Sequence, residues 1–160
     1  MGDMLSDGNN KVSFVPSIAD VSAPTVAELT SGTSLECLIM SDGLDISTDE
    51  TAVSAPKLCD TIDAEQPGRA KTTIQLTCVR KDVPAEDIAW TLLQRNLTGY
   101  LAVRRGITHD TAFAATQVVE VYPVKFGARR PIKPEANGVE KFMSQGYNTG
   151  APELDAVVAA

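Results

Sequence analysis

Alternation of apolar and polar side chains predicts a protein made mainly of β-strands. In residues 71–80, Ile74, Leu76 and Cys78 lie on one face, while threonine and glutamine side chains occupy the other. A period of two with many β-branched residues is typical of a half-buried strand. Comparable patterns predict strands over residues 11–15, 34–40, 58–64, 100–105, 117–126 and 139–147. About six to eight strands favour an antiparallel β-sandwich or open barrel.

One segment changes from strand to helix periodicity and predicts a flanking α-helix over residues 84–97. Pro84 suits a first helical turn, and Gly99 can adopt the left-handed conformation that ends a helix. The apolar side chains of this helix cover an arc of about 200° around its axis, which is wider than the apolar stripe of a helix that packs on only one side. Either the helix is sunk in one large core, or a neighbouring subunit covers a face formed by Trp90, Leu93 and Leu97. A second, short helix is predicted within residues 22–30.

The chain reads as a single domain over residues 1–160 with three special segments. Residues 1–16 form an N-terminal arm that contains a short strand or extended piece before Pro16. Residues 41–57 are acidic and irregular, which suggests a functional or mobile loop, or an outward hairpin. Residues 150–160 form a C-terminal tail lying on a surface.

Smaller signals refine this outline. Residues 66–68 predict a turn. Pro123 has no N–H to donate, so its end of the predicted strand is expected at a sheet edge. Gly146 is expected to weaken the last predicted strand. The three cysteines, Cys37, Cys59 and Cys78, are odd in number and widely spaced, so we expect buried, reduced thiols.

Charge is distributed unevenly along the chain. Residues 1–66 have a balance of −10 and residues 67–160 a balance of +3, for a net charge of −7. Because binding to nucleic acid requires clustered lysine and arginine, an acidic protein is a poor candidate for a nucleic-acid-binding protein. This asymmetry suggests that the acidic region of one copy could bind the basic region of another. Alternatively, folding mixes the two halves over one surface, and the asymmetry then has no role.

No catalytic, metal or cofactor motif stands out, so we expect neither an enzyme nor a cofactor. His109 lies in a polar stretch and is expected on the surface. Asp60 and Asp63 would face opposite ways on a strand, so they would not share a site. No apolar run approaches a membrane span. These features favour an interaction protein that assembles with itself.

Several segments, taken in order, resemble the major tail tube protein of long-tailed (siphovirus-type) bacteriophages, particularly those of actinobacterial hosts. The resemblance covers most of the chain from Phe14 onward and rests on the order and spacing of five segments: FVPSIADVSAPTVAEL, LCDTIDAEQPG, GYLAVRRG, VEVYPVKFGARRPIKPEANGVEKF and the final LDAVVAA.

This resemblance implies a structural virion protein of the phage tail, made in the host cytoplasm. It implies a β-sandwich with a flanking helix, assembled as hexameric rings that stack into a hollow conduit for DNA ejection. The sheet would close into a ring-shaped barrel on oligomerisation. The tape measure protein and the tail terminator are the implied partners, and viral DNA would pass without specific binding. The segment 41–57 would be the inter-ring loop.

Two sets of side chains follow as candidates. An acidic bore repels phosphate and lets DNA slide, so we expect lumen-facing acids among Asp60, Asp63, Glu65 and Glu120. For inter-ring contacts we expect acids to meet bases, drawn from Asp45, Asp49, Glu50, Arg104, Arg105, Arg129 and Arg130. A single-ring tail terminator or head–tail connector, and a monomeric cytosolic β-domain binding module, remain as alternatives.

Overall fold

A computed structural model describes residues 2–160 and confirms a mainly β, antiparallel protein. Within these residues there are nine strands and two short helices. The helices are α1 (Val26–Thr30) and α2 (Ile88–Leu92). The strands are β1 (Asn10–Val15), β2 (Thr33–Ser34), β3 (Ile39–Ser54), β4 (Glu65–Val79), β5 (Thr98–Arg105), β6 (Val118–Phe126), β7 (Arg130–Pro131), β8 (Lys141–Asn148) and β9 (Glu153–Val157).

All nine strands belong to one sheet that does not close. The order is β2-β1-β5-β6-β8-β4-β3, with β7 beside β8 and β9 beside β6. Every strand pair is antiparallel. β2 and β3 are therefore the two ends of the sheet, and their outer edges have no strand partner in residues 2–160.

The sheet buries apolar side chains on both faces. On β5, Leu101 and Val103 belong to the larger core, while the intervening Ala102 belongs to a second core. Because successive strand side chains point to opposite faces, the two cores lie on opposite sides of β5. α2 contributes Ala89 and Leu93 to the larger core. α1, the segment after β1 and the end of the chain cover the second core.

The strongest alternating patterns correspond to real strands. The prediction for residues 71–80 is confirmed within β4, where Ile74, Leu76 and Cys78 are buried. Residues 100–105 and 117–126 are confirmed as β5 and β6. The short helix is confirmed as α1, which begins with a capping box between Thr25 and Glu28.

The predicted helix over residues 84–97 is wrong in extent, because only Ile88–Leu92 is helical. Residues 83–87 form turns in which Glu86 N–H donates to the Val83 carbonyl. Asn96 has a φ of 70°, and its N–H donates to the Phe126 carbonyl. These contacts turn the chain into β5 after one and a half helical turns.

Gly99 has a different role from the predicted helix stop. It lies in β5, where a Cβ would sit 2.5 Å from Cζ of Phe14. Asn96 supplies the left-handed conformation instead. Gly99 is therefore needed for the close approach of an aromatic ring and not for a turn.

The acidic segment 41–57 is mostly strand, since β3 runs to Ser54 and pairs with β4. This agrees with the hairpin alternative. Of the predicted strand over 34–40, residue 34 ends β2, residues 39–40 begin β3, and residues 35–38 form a turn between them. The predicted strand over 58–64 is an exposed connection. Residues 66–68 lie inside β4, so the turn predicted there is wrong.

Both chain ends are part of the sheet. Residues 11–15 of the expected arm form β1, whose Val12 and Phe14 are core residues; Met1 lies outside the described residues. Residues 150–160 of the expected tail include β9, and Ala156 and Val158 are buried. The tail therefore completes the second core.

Two expectations about strand continuity are also corrected. Gly146 lies within a continuous β8, beside the Phe126 ring. Pro123 is in an interior strand, and its carbonyl accepts a hydrogen bond from Thr149 N–H. The backbone nitrogen and carbonyl of one strand residue point toward the same neighbouring strand. The Pro123 nitrogen therefore faces the same side as its carbonyl, toward the gap between β8 and β9. No strand pairs with β6 at that gap, so the missing N–H of proline breaks no ladder hydrogen bond.

Candidate assembly surfaces

A two-stranded ribbon extends from the sheet. β8 pairs with β4 only as far as Thr73, which lies opposite Tyr147. Beyond that point residues 48–54 and 65–72 pair only with each other. An isolated two-stranded ribbon is marginally stable in water, and an unpaired strand edge tends to pair with another chain. Both edges of this ribbon are therefore available to a neighbour.

The ribbon ends in an acidic tip that also exposes apolar side chains. Residues 55–64 connect the strands, and Leu58 and Ile62 are 106% and 81% exposed. Asp60 accepts a hydrogen bond from Lys57 N–H at 2.7 Å. Asp60 and Asp63 thus lie in the connection and not on a strand, while Glu65 opens β4. Exposed leucine and isoleucine at a projecting tip indicate a contact surface.

Two arginines lie at the opposite end of β4. Arg80 follows the last residue of β4, about 50 Å from the tip at 3.3 Å per residue. The Arg80 and Arg129 guanidinium carbons lie 3.8 and 4.0 Å from the centre of the Trp90 ring. Two planar groups this close to one ring centre must occupy opposite faces. Arg80 is paired with Asp87, so of the two only Arg129 has no ion-pair partner among residues 2–160.

The predicted face of Trp90, Leu93 and Leu97 is divided by the structure. Trp90 is half-buried and meets Phe142 edge-on, with 5.1 Å between ring centres. Leu93 is fully buried in the larger core of its own chain, so it cannot form a subunit contact. Leu97 is half-buried and packs against the same core.

Arg104 and Arg105 have different roles. Arg104 is fully buried, so its assignment as an inter-ring contact is wrong. Its guanidinium donates to the carbonyls of Thr108, Thr111 and Ala112 and to Gln117 Oε1. Burial lowers the pKa of Arg104 from its usual value. The side chain holds the loop between β5 and β6 in place.

Arg105 is exposed and pairs with Glu120 of the adjacent strand. Glu120 also accepts a hydrogen bond from the Tyr122 hydroxyl. Burial, followed by this contact, raises the pKa of Tyr122. These three side chains line a cleft of about 560 Å³ against Thr48 and Thr72 of the ribbon. The charge of Glu120 is thus already matched within the chain.

A second cleft, of about 490 Å³, lies where β1, near one end of the sheet, approaches β3 at the other end. This region is called the seam, and the cleft is called the seam cleft. Its walls come from β1, the turn before β3, the start of β3 and the loop that carries His109. Cys37 Sγ and His109 Nδ1 are 4.0 Å apart at this cleft. No local sequence pattern predicts this cleft, because Cys37 and His109 are far apart in the chain.

The expectation of three buried thiols holds for one of them. Cys37 and Cys59 are exposed, whereas Cys78 is buried in the larger core. Burial raises the pKa of Cys78 to about 12. Cys37 and Cys59 therefore report on the seam and the ribbon tip respectively.

Within residues 2–160, no cluster of three or more histidine, cysteine or acidic side chains is placed to hold a metal ion. No helix among the described residues has the length and apolar character needed to cross a membrane.

Open edges and a projecting ribbon with an acidic tip together define a β-sheet protein suited to self-association. A family model described as "Phage tail tube protein" matches residues 1–160, so the chain belongs to the phage tail tube proteins. It is a structural protein of the phage tail that assembles with itself into a tube. A search of curated proteins found no match.

Proposed function

We propose that the chain forms hexameric rings that stack into the tail tube and conduct viral DNA out of the capsid. The single observation that carries this proposal is the ribbon with two unpaired edges. Edge-to-edge pairing around a ring removes every free edge by closing the sheets into a barrel. Each copy then uses different surfaces on its two sides, which is a heterologous contact.

Stacking of the rings is supported by the separation of the acidic tip from Arg129 along β4. Asp45, Asp49 and Glu50 lie on β3, and Arg129 lies beside Trp90 beyond the far end of β4. Head-to-tail contact would bring these acids near Arg129 and Arg130 of the next ring. Arg104 takes no part because it is buried, and Arg105 is already paired with Glu120.

The conduit role is supported by the acids of the ribbon tip. We infer that Asp60, Asp63 and Glu65 face the bore, where negative charge keeps DNA phosphates from binding. Glu120 contributes less, because Arg105 neutralises it. By family resemblance, the tube encloses a tape measure protein and ends at a tail terminator.

Electron microscopy of the purified chain tests the assembly. Long hollow tubes of six-fold rings are expected. Isolated rings would instead indicate a terminator or connector, and small uniform particles a monomeric domain. Either result contradicts the proposal.

Charge reversal tests the bore and the ring contacts separately. Changing Asp60, Asp63 and Glu65 together to lysine should leave tube formation intact and slow genome ejection; unchanged ejection contradicts the bore assignment. Glu50→Lys should weaken stacking, and Arg130→Glu in the same chain should restore it. Asp110→Lys is the matched control, since Asp110 is exposed in the loop between β5 and β6, outside both the ribbon and the arginine pair at Trp90.

A further inference from the structure

Glu36 presents an unusual carboxylate at the seam cleft. Its Oε1 pairs with Lys11 Nζ at 3.3 Å, and its side chain is only 10% exposed. Its Oε2 is buried and has no hydrogen-bond partner within the described chain. A buried acceptor without a donor is costly and rare in native proteins. This oxygen therefore calls for a donor from outside the chain.

The cleft is open to such a donor and is itself acidic. Asp7, Asn10 and Ser41 line it together with Glu36, and each can accept a hydrogen bond. The carboxylate of Glu36 ends on a soft torsion, so Oε2 can be reoriented without moving the rest of the side chain. A cationic side chain satisfies both the charge and the missing hydrogen bond.

The location of the cleft indicates which molecule supplies that side chain. Ile39, Met40 and Ser41 at the start of β3 form part of its wall, and the outer edge of β3 is unpaired. A second copy that pairs with this edge passes beside Glu36. The segment of β4 from 65 to 72 is the longest stretch with a free edge that carries bases.

Arg69 is the best-suited base on that segment. It is exposed and has no ion-pair partner among residues 2–160. Lys71, in contrast, lies directly opposite Asp49 in its own ribbon. Arginine donates directional, charge-assisted hydrogen bonds to carboxylates, which suits a carboxylate that offers one unused oxygen.

We propose that the seam cleft receives Arg69 of a second copy, with Glu36 as its ion-pair partner. This rests on the proposed function, because it requires copies to meet along the free edge of β3. The contact would report directly on ring closure, since it forms only when the seam is covered.

Cys37 provides a built-in probe of the covered cleft. In a Cys59→Ser chain it is the only exposed thiol, because Cys78 is buried. The rate of alkylation by iodoacetamide is measured for the unassembled chain and for the assembled fraction. Covering the cleft should slow Cys37 alkylation by about tenfold or more, since thiol reactivity depends on access.

A double-mutant cycle tests the pair itself. Glu36→Gln and Arg69→Gln should each raise the concentration for half-assembly by about tenfold, and the double variant by no more than either alone. Glu86→Gln is the matched control. Thermal unfolding of each unassembled variant verifies that it folds. If Glu36→Gln does not fold, the proposed contact is tested by the half-assembly concentration of Arg69→Gln and by the rate of Cys37 alkylation.

The outcomes separate the two proposals. An unmodified chain that forms no assembly overturns the proposed function. Tubes in which Cys37 remains fully reactive, or in which the two substitutions act additively, overturn the Glu36–Arg69 contact and leave the tube intact.

Discussion

Arg80 donates a hydrogen bond from Nε to Oδ2 of Asp87 at 2.7 Å, and this ion pair joins the end of β4 to the turn before α2. The second oxygen of Asp87 accepts from Lys81 N–H at 3.2 Å. The Asp87 side chain is only 7% exposed. The sequence pattern places Asp87 in the first turn of a helix. In the structure, Asp87 instead stabilises the turn that connects β4 to α2.

Asp87→Ala is expected to lower the free energy of unfolding by about 1–2 kcal/mol, because it leaves the Lys81 backbone N–H and the Arg80 guanidinium without their acceptor. Urea unfolding measures the change. Glu86→Ala, at the exposed neighbouring position, should stay within about 0.5 kcal/mol of the parent. Equal effects of the two substitutions would argue against a structural role for the Asp87 contacts.

Arg104→Met is expected to destabilise the fold by about 2–4 kcal/mol, because several carbonyls of the β5–β6 loop lose their donor. Hydrogen exchange should show faster exchange across residues 107–116. Arg105→Met is the control, since a surface ion pair is worth about 1 kcal/mol or less. A loop that keeps its protection in the Arg104 variant would contradict this role.

Gly99→Ala is expected to destabilise by about 1–3 kcal/mol, because the new methyl group would overlap the Phe14 ring and force the core to shift. Gly150→Ala provides a matched comparison, since its Cβ would meet Pro123 at 3.6 Å, an ordinary contact. Thermal unfolding measures both. Similar melting temperatures for the two variants would be inconsistent with the packing described for Gly99.

Acidification should loosen the start of α1. Hydrogen bonds from the backbone N–H groups of Thr25 and Ala19 lower the pKa of Glu28 below its ordinary value of 4.5. A lowered folded pKa means that the stabilisation is fully present above pH 4.5 and is lost as the pH falls through the folded value.

Amide exchange of residues 26–30 should therefore accelerate below pH 4.5 relative to the rest of the chain. Asp20, whose pKa is lowered by hydrogen bonds from Ser22, titrates in the same range. An Asp20→Asn background isolates Glu28, and adding Glu28→Gln should remove the acceleration. Its persistence without the Glu28 carboxylate would assign the effect to another group.

The predictable parts of the fold were those in which a strand buries one face regardless of its partners. Ile74, Leu76 and Cys78 alternate with polar residues, so a period of two was sufficient to place the inner part of β4, from residue 71 onward. The capping box of Thr25 and Glu28 is likewise a local signal. These elements are encoded within about ten neighbouring residues.

The ribbon strands were less predictable, because their exposed ends do not alternate. Along the outer part of β3, from Thr48 to Ser54, every side chain is exposed. Strand structure there comes from backbone pairing with β4 and not from burial of one face. An acidic, polar segment of this kind resembles a loop in sequence.

The sequence by itself determined the antiparallel β class, the core strands and the uneven charge, because each depends on local composition or periodicity. Only the tertiary structure decided that Arg104 is buried while Arg105 is exposed, and that Glu36, Cys37 and His109 meet at one cleft. Those outcomes depend on which distant strands pair and which edges remain open. Such pairing is a property of the whole sheet, so no window of neighbouring residues contains it.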